Sequence, residues 1–257
     1  MNKKVKVRKN DVDLGVAKVK LSRWSKHEED FYYSLHNLYS KNKDKFFNNA
    51  FFNTHRIEFA RSMFRIKIYE LIKNTKGSIV ELGTYKGNNL MLFYHLMLTM
   101  EPTNYEDKII GFDTFEGFRN IDKKKDKKIY KKDFSLADYN FLKSLIDINQ
   151  KNDIIKHINK IELVKGDATK TIPKFVKKRQ SLIVRLLYLD CPIYKPTITA
   201  LKHFYPLMPK GSIIAFDELG MEKWKGETVA FKEFFKSKKA ELKRFYFEPS
   251  ASYLIKQ

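Results

Sequence analysis

Apolar residues recur along this chain with two periods, and the change from one to the other divides it. Phe31, Leu35 and Leu38 fall at helical spacing behind Ser25 and Glu28, a capping-box pair, and predict a helix over 26–40. Thr54 opens a second amphipathic stretch, with Ile57, Ala60, Arg61, Phe64, Ile68, Leu71 and Ile72 on one side and a stop before Lys76-Gly77. That helix is expected to pack beside a sheet and cover a ligand site. From Ser78 onward short apolar runs alternate with helical ones. Strands are expected at 78–82, 108–113, 161–165, 182–190 and 212–216. Helices are expected after Gly87, from Ser135 with Asp138 behind it, from Pro196-Thr197, and over 228–238. This alternation predicts an α/β fold with a mostly parallel, doubly wound sheet, order 3-2-1-4-5. The 182–190 run is apolar enough for a central strand buried on both faces. Residues 243–248 and 252–256, around Pro249-Ser250, read as a C-terminal antiparallel hairpin.

The chain's 257 residues suffice for one sizeable domain, expected over 46–257 behind a basic N-terminal arm and lead-in helix at 1–45. Residues 1–24 read as an extended arm or a short edge hairpin. A hydrophobic content of 43%, with 21 Phe and 14 Tyr, excludes a disordered chain. No apolar run is long enough to span a membrane, and no apolar segment follows the basic N-terminus, so a cytoplasmic location is expected. The single Cys191 permits neither an internal disulfide nor a multi-cysteine zinc site.

A formal charge of +21 comes largely from lysine, including seven between Lys123 and Lys132. Such a surface could steer nucleic acid, nucleotide-linked sugars, acidic glycans or a membrane face. The lysines are nevertheless dispersed among helices rather than interleaved with aromatics on one strand face, which favours a solvated surface over a single-strand binder.

Chemistry is concentrated at the strand ends. The expected strands finish at Glu81, Asp113, Asp167, Asp190 and Asp217-Glu218, and in an open α/β sheet the ligand crevice lies outside those ends. Any one acid could merely cap a helix, but five in a row point to a site. The Glu81-x-Gly83-x-x-x-Gly87 turn differs from the dinucleotide pattern, and its carboxylate suits a cationic ligand, S-adenosylmethionine being the first candidate. Asp113 stands at the position of a ribose-binding acid. Gly166-Asp167-Ala168 offers a small residue beneath a flat base and an acceptor for its exocyclic amine. Asp190, Asp217 and Glu218 end neighbouring strands, and an oxygen-only set of three carboxylates favours magnesium.

These residues together resemble the macrocin O-methyltransferase-like enzymes, a branch of the class I S-adenosylmethionine-dependent methyltransferases, over about residues 55 to 235. The likeness rests on Arg61 with its helix, Val80 to Gly87, Gly111-Phe112-Asp113-Thr114-Phe115-Glu116-Gly117-Phe118, Val164 to Asp167, Leu189-Asp190 with Tyr194-Lys195-Pro196-Thr197, Leu201 to Gly211, and Ile214 to Gly220. It implies a Rossmann-like methyltransferase fold and methyl transfer to a hydroxyl of a sugar, glycan or glycosylated natural product. Cofactor contacts are then expected from Glu81, Gly83, Thr84, Tyr85, Gly87, Asp113, Thr114, Phe115, Gly166, Asp167, Ala168 and Asp190. Magnesium is expected on Asp190, Asp217 and Glu218, with Asp190 and Glu218 catalytic. Two departures stand out. The family's second strand-four acid, proposed as general base, is replaced by Pro192, and the tandem acid is Asp217-Glu218 rather than two Asp residues. An acidic or neutral small-molecule acceptor, a homo-oligomer, an RNA or cap-type substrate, and a cofactor-binding protein that has lost turnover all remain open to the sequence.

Overall fold

The computed structural model describes residues 26–47, 49–126, 129–131, 134–135, 137–236 and 240–257. The expected N-terminal arm, the Ser25 cap and part of the lysine run lie outside these residues. The chain divides into two compact units, residues 1–59 and 60–257. In the first, α1 (Lys26–Lys41) coincides with the helix that the periodicity predicts, and is followed by α2 (Lys43–Phe46), a 3-10 turn at Ala50–Asn53, and the start of α3 (Arg56–Ile72).

The second unit holds a six-stranded sheet in the order β3-β2-β1-β4-β5-β6. Its strands are β1 (Ser78–Leu82), β2 (Ile109–Asp113), β3 (Ile161–Lys165), β4 (Val184–Leu189), β5 (Ile213–Phe216) and β6 (Ser252–Ile255). The connecting helices are α4 (Asn88–Met100), α5 (Tyr139–Gln150), α6 (Ala168–Lys178), α7 (Tyr194–Phe204) and α8 (Lys225–Phe234). Strands β1 to β5 run parallel, and the expected antiparallel element at the C-terminus is β6 against β5. Residues 243–248 form no strand and contribute a single antiparallel bridge, Lys243 to Tyr253.

Burial explains which runs became strands. Every residue of β1, β4 and β5 is buried, as central parallel strands covered on both faces must be. One apolar cluster, with Val80, Leu187, Ile214 and Phe204, lies on one face of the sheet, and a second, with Ile79, Leu186, Ile213 and Phe64, lies on the other. Helix α5 begins at Tyr139 rather than Ser135, because the Asp138 carboxylate accepts the N–H of Phe141 and so fixes the cap. Helix α7 begins at Tyr194, with Pro196 inside its first turn, where a missing N–H costs nothing. Helix α6, with Pro173 inside it, has a strong amphipathic pattern that a sequence reading centred on the strand ends passes over. No helix among the described residues is long and apolar enough to cross a membrane.

Candidate active site

Strand β1 carries Glu81 into the middle of the sheet, in register with Gly111 of β2 and Tyr188 of β4. A charged residue there is costly unless compensated. Glu81 is fully buried, and among the described residues neither carboxylate oxygen has a hydrogen-bond partner. Burial, and then the neighbouring Asp190, push its pKa up to about 8. The turn that follows has φ values of 93° at Gly83, 47° at Tyr85 and 86° at Gly87. Glycine is required at Gly83, where a Cβ would stand 1.9 Å from the Asp190 carbonyl oxygen. The turn therefore presses directly on the end of β4. Gly87, in the left-handed region, caps α4 without any side-chain acceptor.

Asp113 ends β2 and ties two turns together. Its Oδ2 accepts the N–H of Tyr85 at 2.8 Å and its Oδ1 that of Phe115 at 2.7 Å. Burial raises its pKa, against the opposing pull of those backbone donors. The Thr114 hydroxyl is turned back to the Gly117 carbonyl, and the Phe115 ring is buried edge-on to Tyr139. Asp167 is occupied as the cap of α6, accepting from the Thr169 N–H at 3.0 Å and from the Asn120 amide. Gly166, with φ 135°, hydrogen-bonds through its N–H to the Asp113 carbonyl at 2.8 Å, so β3 and β2 end level, with Ala168 buried behind.

On the other side of β1 the structure brings three expected residues together. Asp190, Asp217 and Glu218 each offer a carboxylate oxygen within 4.8 Å of the others. Their charges are handled differently. Asp217 accepts from the Tyr188 hydroxyl at 2.7 Å and pairs with Arg65 at 3.3 Å and Arg61 at 3.8 Å. Burial works against ionisation of Asp217, but the two arginines and Tyr188 outweigh it and hold its pKa below the ordinary carboxylate value. The Asp190 carboxylate accepts from the Asn89 amide at 2.8 Å, its one hydrogen-bond partner among the described residues. Burial and repulsion by Asp217 bring it to about 7. Glu218 is pushed well above its ordinary value by burial and by Asp190 and Asp217, and its Oε2 is buried without a partner. Behind it lies Glu227, fully buried, whose Oε2 accepts the Glu218 N–H at 3.0 Å.

Both expected groups fit these residues. An oxygen-only cluster with an orphaned buried carboxylate oxygen suits a hard divalent cation. The unpartnered Glu81 carboxylate, under a turn of left-handed residues, suits an ammonium group. Four contributors escaped the sequence reading: Asn89, Arg65, Tyr188 and Glu227. Each left a faint signal, respectively a polar residue in an apolar helix, a second arginine one helical turn after Arg61, a hydroxyl in an aliphatic strand, and an acid in a first turn.

The family model described as Macrocin-O-methyltransferase (TylF) matches residues 60–244. Among solved structures, the calicheamicin methyltransferase CalS11 is 28% identical, with a TM-score of 0.86 over 90% of this chain and 93% of that one. Its apo form, described as a TDP-rhamnose 3'-O-methyltransferase, is 27% identical at a TM-score of 0.78, covering 90% and 95%. The O-methyltransferase NovP, 18% identical at a TM-score of 0.53 over 77% and 80%, shares the fold. No curated protein sequence matches the chain.

Proposed function

The chain belongs to the macrocin O-methyltransferase family and is an S-adenosylmethionine-dependent O-methyltransferase, and on that premise we propose that its acceptor is a sugar hydroxyl, with a magnesium ion at the acidic cluster. The observation that carries the second half is the convergence of Asp190, Asp217 and Glu218, one of them bearing an unpartnered buried oxygen. The first half is supported by the sugar-modifying activity described for CalS11.

The cofactor supplies a methyl group on a sulfonium. Glu81 would meet its ammonium, and Gly83, Thr84, Tyr85 and Gly87 would form the turn around its amino-acid part. Asp113, Thr114 and Phe115 would take the ribose, while Gly166, Asp167 and Ala168 would border the base. Asp190, Asp217 and Glu218 would hold the metal, whose chemistry there is to acidify and orient a hydroxyl.

Removal of the hydroxyl proton falls to a carboxylate already in the cluster. Pro192 is buried and carries no proton acceptor on its side chain. Asp190 and Glu218, side by side in the cluster, are the two carboxylates placed to accept it. Orientation supplies much of the remaining rate, since a methyl transfer needs the acceptor oxygen in line with the S–C bond.

The test is methyl transfer to a panel of hexoses and 6-deoxyhexoses, run with and without exhaustive chelation and with Asp217→Asn. Turnover that needs a divalent cation and is lost in the variant is the expected result. Turnover indifferent to both sinks the metal reading, and no turnover on any hydroxyl by a protein that binds cofactor sinks the acceptor reading.

A further inference from the structure

The three acids of the cluster are not anchored alike. Asp190 and Asp217 are held by the sheet's own ladder: the Asp190 N–H donates to the Leu82 carbonyl at 2.9 Å and the Asp217 N–H to the Leu189 carbonyl at 3.0 Å. Glu218 stands one residue beyond the last of these bonds. Its N–H donates instead to Oε2 of Glu227, a fully buried carboxyl group in the first turn of α8, at 3.0 Å. A side chain thus does for Glu218 what a neighbouring strand does for the other two. The other oxygen of Glu227, Oε1, is buried with no partner among the described residues. Leucine would fill that space without the cost of burying a carboxyl group, so packing alone does not account for the acid.

The same turn of α8 holds the rest of the connection after β5. The Thr228 hydroxyl accepts the Gly220 N–H at 2.9 Å, and within the connection the Met221 N–H donates to the Glu218 carbonyl at 3.1 Å. The start of α8 is itself fixed by Gly226, where a Cβ would stand 2.5 Å from the Tyr194 nitrogen and 2.6 Å from the Pro192 carbonyl oxygen. Gly226 therefore seats the helix against the chain leaving β4, while Glu227 and Thr228 grip the chain leaving β5. These are the two exits that carry Asp190 and Glu218.

A glutamate has one more rotatable bond than an aspartate, and that freedom is lost when its carboxylate is fixed on a cation. A backbone held in advance leaves less to be ordered. We propose that Glu227 is a positioning residue of the acidic cluster: by holding the Glu218 backbone it sets the reach of the one cluster acid that the sheet does not anchor, and so raises the cluster's affinity for a divalent cation. This rests on the magnesium reading of the cluster. It goes beyond that reading by assigning a residue outside the ligand set, which acts through Glu218. Position 227 then requires a hydrogen-bond acceptor and no charge, so glutamine should serve there and leucine should not.

The test reads cation binding rather than turnover. Magnesium is titrated calorimetrically into the full-length wild type, Glu227→Gln and Glu227→Leu, each saturated with S-adenosylhomocysteine, and manganese(II) binding is followed in parallel by its paramagnetic resonance signal. Glu227→Leu should bind both cations about ten-fold or more weakly, the range for a lost outer-shell partner, while Glu227→Gln stays within about three-fold of the wild type. S-adenosylhomocysteine affinity, measured on the same proteins, should be equal in all three, which separates damage to the cluster from damage to the fold. If Glu227→Leu does not fold, Thr228→Val, at a half-buried position, carries the test. It removes the Gly220 tether and should weaken magnesium binding about three-fold, the scale of one neutral hydrogen bond, and affinity equal to the wild type overturns the inference. A leucine variant that binds cation as tightly as the wild type also overturns it. So does a glutamine variant as weak as the leucine one, which would make Glu227 a charged ligand. A wild type that binds neither cation sinks the magnesium reading and this inference with it, whereas the other outcomes leave that reading standing.

Discussion

The Arg65 guanidinium lies 3.3 Å from Asp217 Oδ1, and both side chains are buried. Arg65 also lies over the Tyr188 ring, whose hydroxyl reaches the same oxygen. This arrangement keeps one acid of the cluster charged in the absence of any added cation.

Substituting Arg65 with Met should therefore strand a buried carboxylate. A loss of roughly 3 kcal/mol is expected from denaturant unfolding, the scale for one partner removed from a buried pair. Arg65→Lys should recover part of it. A Met variant as stable as the wild type would show that Asp217 takes up a proton at no cost.

Glu81 gives the apo protein a pH dependence with a definite sign. Its pKa is about 8 in the folded state against 4.5 for the ordinary carboxyl, so the folded protein keeps a proton that the unfolded chain has lost. Stability should then fall as pH rises through that window, by up to about 1.4 kcal/mol per pH unit from this group. Glu81→Gln should remove that slope and raise the midpoint of thermal unfolding at pH 8 more than at pH 5. Parallel pH profiles for the two proteins would contradict it.

Divalent cation binding should expel protons. Asp190 is raised to about 7 and Glu218 is raised well above its ordinary value, so a cation that favours the carboxylates lowers both and releases protons. Calorimetric heats of magnesium binding should consequently vary with the ionisation enthalpy of the buffer, and affinity should rise from pH 6 to pH 8. Heats independent of buffer would mean that these acids are not the ligands.

Asp113→Ala should weaken S-adenosylmethionine binding by about 1 to 3 kcal/mol, the range for a lost hydrogen bond to a charged group. The structure adds a second reason for the loss, because the N–H groups of Tyr85 and Phe115 are left without their acceptor. Asp113→Asn should restore some order to the two turns but less affinity. Calorimetry on the three proteins separates the effects.

Pro192→Asp would supply the second strand-four acid that the family resemblance leads one to expect. If Asp190 and Glu218 already serve as proton acceptors, the variant should change turnover little, and the wild-type rate should rise with pH through a single ionisation. An inactive wild type that gains turnover on this change would mark the chain as a cofactor-binding protein whose catalysis has decayed.

Much of this site was legible because its signals are local. An apolar run closed by an acid names both a strand and its chemistry, and the strand at 78–82 with Glu81, and that at 161–165 with Asp167 two residues on, fall where the pattern put them. Helix starts were less legible. Asp138 and Asp167 cap their helices through contacts that Ser135 or a bare glycine turn did not announce. Asp113 and Asp167 proved to be occupied by the protein's own backbone and side chains, a use of a carboxylate that residue type alone does not reveal.

By itself, then, the sequence determined the alternation of strands and helices and the placement of an acid at or near the carboxyl end of each of the five parallel strands, because periodicity and turn chemistry act over a few residues. Only the tertiary structure decided which acids are charged. Arg65 and Asp217 are 152 residues apart, and no local rule couples an arginine on α3 to a carboxylate after β5. Packing of α3 against the sheet makes that pair, while Asp190 and Glu218 form no ion pair among the described residues, and so sets the protonation of the whole cluster.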